Sequence, residues 1–337
     1  MPPLDSAPCP GGAEPATLAG VRACVAELDF RAGDLRLAGR WFTPRPERPG
    51  DGEPLPAAVI VPGSGPSRRG HPWTEMMAAP FLRSGLGVLL PDKRGSERSE
   101  GDWRAATYED LAEDAVAAVA SLRRRPDVQR ERIGVVGLSE GGQVVAVAAA
   151  RDPDVAFVVN AVGGATAFIP KVKYEMRSAF VEAGLDGRRL EVAERMLELA
   201  AGHVLGGVSW TEYETELEAA RPALGPLADT FFLSEPDHWR WAFLRAHSDW
   251  DPIPWWLRVR QPVLVLYGEL DTNQPSADGA ARLEEAFRRA GHPDATVRVF
   301  PGLGHSLRSG AGLDPEVEGT LARWLAERLD TNRTGGR

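Results

Sequence analysis

Three residues in this chain have the types and order for nucleophilic catalysis. Ser139 sits in Gly137-Leu138-Ser139-Glu140-Gly141, after the run Ile133-Gly134-Val135-Val136 and before the small, apolar, proline-free stretch Gln143 to Ala150. A serine hydroxyl is a poor nucleophile until a base takes its proton, and the base needs a third group to orient it. Asp271 follows the apolar run Val263 to Tyr267, and His305 follows Thr296 to Phe300 across Pro301-Gly302-Leu303-Gly304. Such a trio attacks a carbonyl and forms an acyl-enzyme. The tetrahedral anion on that path needs two fixed hydrogen-bond donors. The backbone N–H of Glu140 serves as one, and that of Ser64, in Pro62-Gly63-Ser64-Gly65-Pro66, as the other.

Each of these residues also has a plainer reading. Gly-x-Ser-x-Gly occurs in ordinary loops, Asp271 has the look of a turn or helix-cap aspartate with Glu269 as its rival, and a loop histidine is commonly a surface residue. The context decides for the nucleophile. A strand, a sharp turn and a helix strain the serine backbone and push its hydroxyl outward. His71, His203, His238, His247 and His292 do not follow a strand in the required order. The Gly-Ser-Gly loop is either a donor loop or a tight turn. It lacks the Gly-Lys-Ser/Thr ending that cradles phosphate.

The elements that must position these residues alternate. Val21 to Phe42 reads as a β-hairpin turning at Ala32-Gly33-Asp34. Ala57 to Val61, Gly87 to Leu90, Ile133 to Leu138, Val155 to Val159, Pro262 to Tyr267 and Thr296 to Phe300 read as strands. Helices are predicted at 73–82, 108–124, 277–290 and 315–329, with Leu111, Ala115, Val116, Val119 and Leu122 on one face of the second. This alternation predicts an α/β fold with a mostly parallel sheet covered on both faces. The rhythm stops after the strand near residue 160. Residues 167–256 read as a helical cap insertion, with helices at 174–183, 188–205, 211–219 and 237–247. The core is then 21–166 plus 257–330, with 1–20 a disordered leader and 331–337 a frayed tail. Five of the ten tryptophans, Trp239, Trp241, Trp250, Trp255 and Trp256, stand late in the cap. They read as plain core or as pocket lining; Tyr174, Phe231, Phe232, Trp239 and Trp255 are the substrate-binding candidates, favouring a hydrophobic or aromatic small molecule.

Composition narrows the partners. The net charge of the 337 residues is −9, the arginines are interspersed with acids, and only Lys93, Lys171 and Lys173 are lysines. Nucleic acid is not an expected partner. No apolar run of about 18 residues exists, so no membrane span is expected, and the N-terminus lacks the pattern of a signal peptide. A cytoplasmic protein is expected, with a homodimer left open. Cys9 and Cys24 read as neither a disulfide framework nor a metal site. No dinucleotide fingerprint or metal constellation is legible, so no cofactor is expected.

From about Val21 to Leu329 the sequence resembles the α/β-hydrolase superfamily. Within it, the chain is most similar to capped esterases of the dienelactone-hydrolase or serine-aminopeptidase-like kind. The Pro-Gly-Ser-Gly-Pro loop, Asp92-Lys93-Arg94-Gly95, Gly137-Leu138-Ser139-Glu140-Gly141-Gly142, Gly268-Glu269-Leu270-Asp271 and Gly304-His305 stand in the family's order. The resemblance implies Ser139 as nucleophile, His305 as base, Asp271 as orienter, and a supporting role for Asp92 and Arg94. Two departures stand out: Pro62-Gly63 where relatives often have His-Gly, and Gly95-Ser96-Glu97-Arg98-Ser99 without a further glycine, which implies a differently shaped loop. Serine rather than aspartate at 139 argues against the dehalogenase and epoxide-hydrolase branches. The reaction expected is hydrolysis of an ester, thioester or lactone. An acyltransferase, C–C hydrolase or lyase/cyclase in small-molecule biosynthesis is the alternative, with a peptidase or a non-catalytic receptor behind it.

Overall fold

The computed structural model describes residues 8–46 and 53–329. Strands β1 (Glu14–Leu18), β2 (Val21–Ala32) and β3 (Leu35–Pro44) come first. There follow β4 (Leu55–Val61), α1 (Pro72–Arg83), β5 (Gly87–Pro91), α2 (Tyr108–Arg123), β6 (Val128–Leu138), α3 (Gly141–Arg151) and β7 (Val158–Ala161). Helices α4 (Phe168–Glu182), α5 (Gly187–Val204), α6 (Trp210–Leu224), α7 (Leu227–Phe231), α8 (Trp239–Ala246) and α9 (Ile253–Trp256) then run without a strand between them. The chain closes with β8 (Val263–Gly268), α10 (Ser276–Ala290), β9 (Ala295–Phe300), the short pair β10 (Arg308–Ser309) and β11 (Gly312–Leu313), and α11 (Pro315–Leu329).

The main sheet has nine strands in the order β1-β2-β3-β5-β4-β6-β7-β8-β9. β1, β2, β3 and β5 pair antiparallel, and every pair from β5–β4 to β8–β9 is parallel. The inner strands are apolar throughout because both faces are covered. In β4, Ala57, Val59 and Val61 enter the core cluster that includes α2 and α3 residues, while Ala58 and Ile60 enter the one that includes α1 and α11 residues. β8 divides in the same way, with Val263, Val265 and Tyr267 on one side and Leu264 and Leu266 on the other.

Register puts the chemistry at one edge. Val61 pairs with Gly137, Gly137 with Asn160, Asn160 with Val265, and Gly268 with Phe300. The loops after β4, β6, β7, β8 and β9 therefore emerge side by side at the carboxyl ends of the strands, where open α/β sheets bind ligands.

The helices between β7 and β8 have a hydrophobic cluster of their own, around Phe180, Met196, Tyr213, Leu217 and Trp241. Their last part belongs elsewhere: Trp250 and Trp256 lie in the main core, so the segment rejoins the sheet before the expected boundary at 256. Three contacts tie it down. Trp250 Nε1 donates to Gln143 Oε1 at 2.9 Å, Phe168 N to Trp250 O at 3.0 Å, and Trp256 Nε1 to Gly164 O.

The N-terminal expectation needs correcting. Residues 1–7 lie outside the described residues, as do 330–337, but Glu14–Leu18 is a strand paired with β2 rather than part of a disordered leader. Leu18 is wholly buried, which supplies the driving force that the prolines nearby obscure. Cys9 and Cys24 also form a disulfide, where the sequence suggested no disulfide framework, with Cα atoms 5.6 Å apart. Folding of β1 back onto β2 brings the two together, a juxtaposition invisible in their spacing. Disulfides persist in oxidising compartments rather than the cytosol, so the pair counts against the cytoplasmic location read from the sequence. No helix among the described residues is long and apolar enough to cross a membrane. The disulfide closes a short loop, and Cys9→Ala is expected to lower the unfolding free energy by about 2 kcal/mol. Urea denaturation reads this as a lower midpoint; an unchanged midpoint would mean that β1 detaches independently of global unfolding.

Candidate active site

Ser139 occupies the vertex between β6 and α3, at φ +54°. That left-handed conformation costs an L-residue roughly 1–2 kcal/mol, and the surroundings hold it. Ser139 N donates to Ala161 O at 2.9 Å, and Gly142 N donates to Ser139 O at 2.9 Å. The turn is tight enough to require glycine around it. A Cβ on Gly137 would fall 2.2 Å from Gly141 O, and one on Gly163 would fall 1.9 Å from Ser139 O. Val162 and Leu307, beside this turn and beside His305 in the chain, also have positive φ, at 55° and 54°. Strain of this kind gathers where a fold over-determines its backbone for function.

The predicted acid and base meet the serine. His305 Nε2 lies 3.0 Å from Ser139 Oγ, and His305 Nδ1 lies 2.8 Å from Asp271 Oδ2 and 3.0 Å from Oδ1. A carboxylate accepts, so Nδ1 carries the proton and Nε2 turns its lone pair to the serine. The Asp271 side chain is wholly buried, and its Oδ1 accepts from Asn273 N at 2.8 Å and Gln274 N at 2.9 Å. These bonds fix the direction in which the carboxylate points. Glu269, the rival acid, instead accepts from Gly302 N at 2.9 Å and braces the loop leading to His305. Trp73 in α1 braces the other side, donating to Ser306 O at 3.1 Å with its ring 5.6 Å from the imidazole.

The two predicted backbone donors share one anchor. Lys93 Nζ donates to Gly63 O at 2.5 Å and to Glu140 Oε2 at 2.6 Å, with both charged side chains buried. In a trans peptide the C=O and the following N–H point in opposite directions. Holding Gly63 O on Lys93 therefore aims the Ser64 N–H the other way. Among the described residues neither Ser64 N–H nor Glu140 N–H has an acceptor. Lys93 was not foreseen from the sequence; its one signal was being one of three lysines, at the end of a strand. Its neighbours are also held by ion pairs. Asp92 accepts from Arg69 at 2.7 Å, and Arg94 pairs with Asp114 on α2 at 2.8 Å. Glu97 has φ +50° and supplies the left-handed turn that a glycine would otherwise make in that loop.

Two cavities lie beside the site, the smaller lined by Ser139 itself and the larger by its neighbour Glu140. A polar one of about 280 Å³ reaches Ser139 between the loop after β4 and α1, lined by Arg68, His71 and Thr74 among others. A larger one, about 490 Å³, extends under the helical segment and is mostly apolar. Ser64, Lys171 and Glu175 border both. Of the five aromatic candidates, Phe231, Phe232 and Trp239 line the larger cavity. Tyr174 and Trp255 do not. The Tyr174 hydroxyl donates to Asp271 O at 2.8 Å and so buttresses the acid loop. The Trp255 ring stacks on Trp250 at 6.4 Å, with the Arg151 and Arg258 guanidiniums 5.6 and 4.8 Å from it. Composition pointed to aromatic lining but not to the side on which each ring would lie.

Comparison with known proteins follows the same lines. A model described as an alpha/beta hydrolase family matches residues 58–316. The thiohydrolase aneE of Aspergillus aculeatus is 31% identical over 137 residues, which is 40% of this chain and 40% of that protein. The chain thus matches well under half the length of this curated relative. Among solved structures, the Pyrococcus furiosus esterase Pf2001 aligns at TM-score 0.58 and 16% identity over 90% of each chain. The alpha/beta hydrolase GrgF from Penicillium sp. sh18 aligns at 0.57 and 21% identity, over 91% of this chain and 99% of that one. Est1E from Butyrivibrio proteoclasticus, with ferulic acid bound, gives 0.58 and 15% identity, over 90% and 100%. At such identities the likeness is one of fold.

Breaking a buried ion pair by removing one partner strands the other charge. Lys93→Met is expected to destabilise the protein by about 3–5 kcal/mol. Lys93→Met combined with Glu140→Leu is expected to regain most of that loss. Urea denaturation of both variants checks the expectation; a double variant no more stable than the single one contradicts it.

Proposed function

The chain belongs to the alpha/beta hydrolase family, and we propose that within it the protein is a serine hydrolase cleaving an ester or thioester of a hydrophobic acyl group. The observation that carries this reading is the 3.0 Å approach of His305 Nε2 to Ser139 Oγ, with Asp271 on the other ring nitrogen at 2.8 Å. His305 takes the serine proton as Oγ bonds to the carbonyl carbon. Asp271 stabilises the imidazolium that results. The negative charge on the carbonyl oxygen is met by the N–H groups of Ser64 and Glu140. His305 then gives its proton to the departing oxygen or sulfur, leaving the acyl group on Ser139. Water, deprotonated by His305, attacks that acyl-enzyme, and Ser139 recovers its proton as the acid leaves.

The flanking cavities fit the two halves of such a substrate. The apolar cavity, with Phe231, Phe232 and Trp239 in its wall, suits the acyl chain. The polar one suits the leaving group. Similarity to a protein named a thiohydrolase supports a thioester among the substrates, with a thiol as leaving group.

Intact mass after treatment with a fluorophosphonate probe tests the reading. A single adduct is expected on the unsubstituted protein, none on Ser139→Ala, and a sharply reduced yield on His305→Ala. On an active acyl ester or thioester, Ser139→Ala is expected to lower kcat by roughly four to six orders of magnitude. A full adduct on Ser139→Ala would overturn the assignment. Ala201, on the α5 side of the apolar cavity, provides a second test. Ala201→Trp fills space there and is expected to lower kcat/KM for long acyl chains at least tenfold more than for acetyl, measured across a series of chain lengths.

A further inference from the structure

The wall of the larger cavity is apolar except at a few places, and two of these are buried side chains without a full set of partners. Tyr108, in the first turn of α2, is 4% exposed and borders the cavity. Its ring packs edge-on against Trp250 at 4.8 Å and against His247 at 4.5 Å. No acceptor among the described residues takes its hydroxyl. Gln143, four residues after Ser139, is also 4% exposed and borders the same cavity. Trp250 Nε1 donates to its Oε1 at 2.9 Å. An indole N–H only donates, so this contact identifies the amide oxygen and leaves the Gln143 amide Nε2–H group as a donor with no acceptor among the described residues. Trp250 touches both residues and makes them neighbours.

The setting keeps these donors ready for a ligand. Burial pushes the Tyr108 phenol well above its ordinary range, and the Glu140 and Glu175 carboxylates push it the same way, so it keeps its proton. Both carboxylates already have a lysine, Lys93 for Glu140 and Lys171 for Glu175. With both carboxylates neutralised in this way, the two donors call for an acceptor atom on the ligand, which a carbonyl oxygen supplies. Glu140 directly follows Ser139 and borders the same cavity, which places the donors on the acyl side of the reacting centre. A buried donor that finds no acceptor keeps its desolvation penalty, and a pocket built around such donors rejects the ligand that lacks the matching atom.

We propose that Tyr108 and Gln143 form an acceptor-reading subsite, and that the acyl chain this protein takes carries a carbonyl or comparable acceptor oxygen rather than being plain hydrocarbon. The proposal rests on the serine-hydrolase reading above for its acyl group, but its test is made on binding. Calorimetric titration of Ser139→Ala would use octanoyl N-acetylcysteamine thioester and counterparts bearing one ketone at successive chain positions. At least one ketone isomer is expected to bind roughly tenfold more tightly than the octanoyl parent. Adding Tyr108→Phe, which deletes only the hydroxyl, is expected to remove most of that gain. Adding Gln143→Leu supplies a second, independent deletion with the same expected direction. Equal binding of all isomers, or a gain that survives both deletions, overturns the subsite. Fluorophosphonate labelling of the unsubstituted protein runs alongside. Selectivity that fails while Ser139 labels rejects the subsite alone. Selectivity that holds while Ser139 does not label supports the subsite and rejects the serine-hydrolase reading.

Discussion

The backbone at Ser139 is the constraint on which the rest depends. A φ of +54° at a non-glycine residue persists only if its neighbours leave no easier alternative. Here the neighbours are backbone, not side chains. Ala161 receives the serine N–H, Gly142 donates to its carbonyl, and Gly163 lies so close that a single added carbon would collide with it. The parallel register supplies these contacts. Because Leu138 pairs with Ala161, and Ala161 with Leu266, the serine turn, the Val162–Gly164 turn and the acid loop emerge from adjacent strand ends. The histidine arrives from the next strand over. Four separate pieces of chain converge because the hydrogen-bond ladder of the sheet aligns them.

The second constraint is electrostatic. Lys93 and Glu140 carry opposite charges out of water directly beneath the serine turn. A buried pair of this kind is a weak source of net stability, since the desolvation of both ions opposes their attraction. Its value here lies in orientation. One ammonium group holds a carbonyl on the loop after β4 and a carboxylate on the residue after the serine. Two backbone segments from different strands are thereby held at a common point, each leaving an N–H free.

Much of the site was legible in the sequence because its parts are local. The glycines around Ser139, the apolar run before Asp271 and the strand before His305 each specify a short piece of backbone, and the order of the pieces specifies which sheet edge they share. What escaped was long-range. Nothing near Lys93 in the chain names Glu140 or Gly63 as its partner. Cys9 meets Cys24 only because β1 folds back, and the alternation in Glu14–Leu18 is too short to announce a strand among prolines. Tyr174 and Trp255 illustrate a further limit. Both are aromatic residues in the helical segment, as expected of a pocket wall, but the rotation of a helix about its axis decides whether a ring faces a cavity. The hydrophobic pattern of α4 is too mixed to fix that rotation, and α9 is a single turn.

The way the helical segment is fastened bears on how molecules get in and out. Tyr174 bonds to the backbone of Asp271, Trp250 to Gln143 and Trp256 to Gly164. A segment held at both ends and at the acid loop would have to break these bonds before it lifted like a door. The two cavities share Ser64, Lys171 and Glu175 in their walls. For anyone wishing to make room for bulkier molecules, the two cavities are not equivalent. Loosening the helices would slacken the carboxylate through Tyr174. Trimming Arg68, which lines the smaller cavity and has no ion-pair partner among the described residues, would enlarge that cavity and leave the acid where it is.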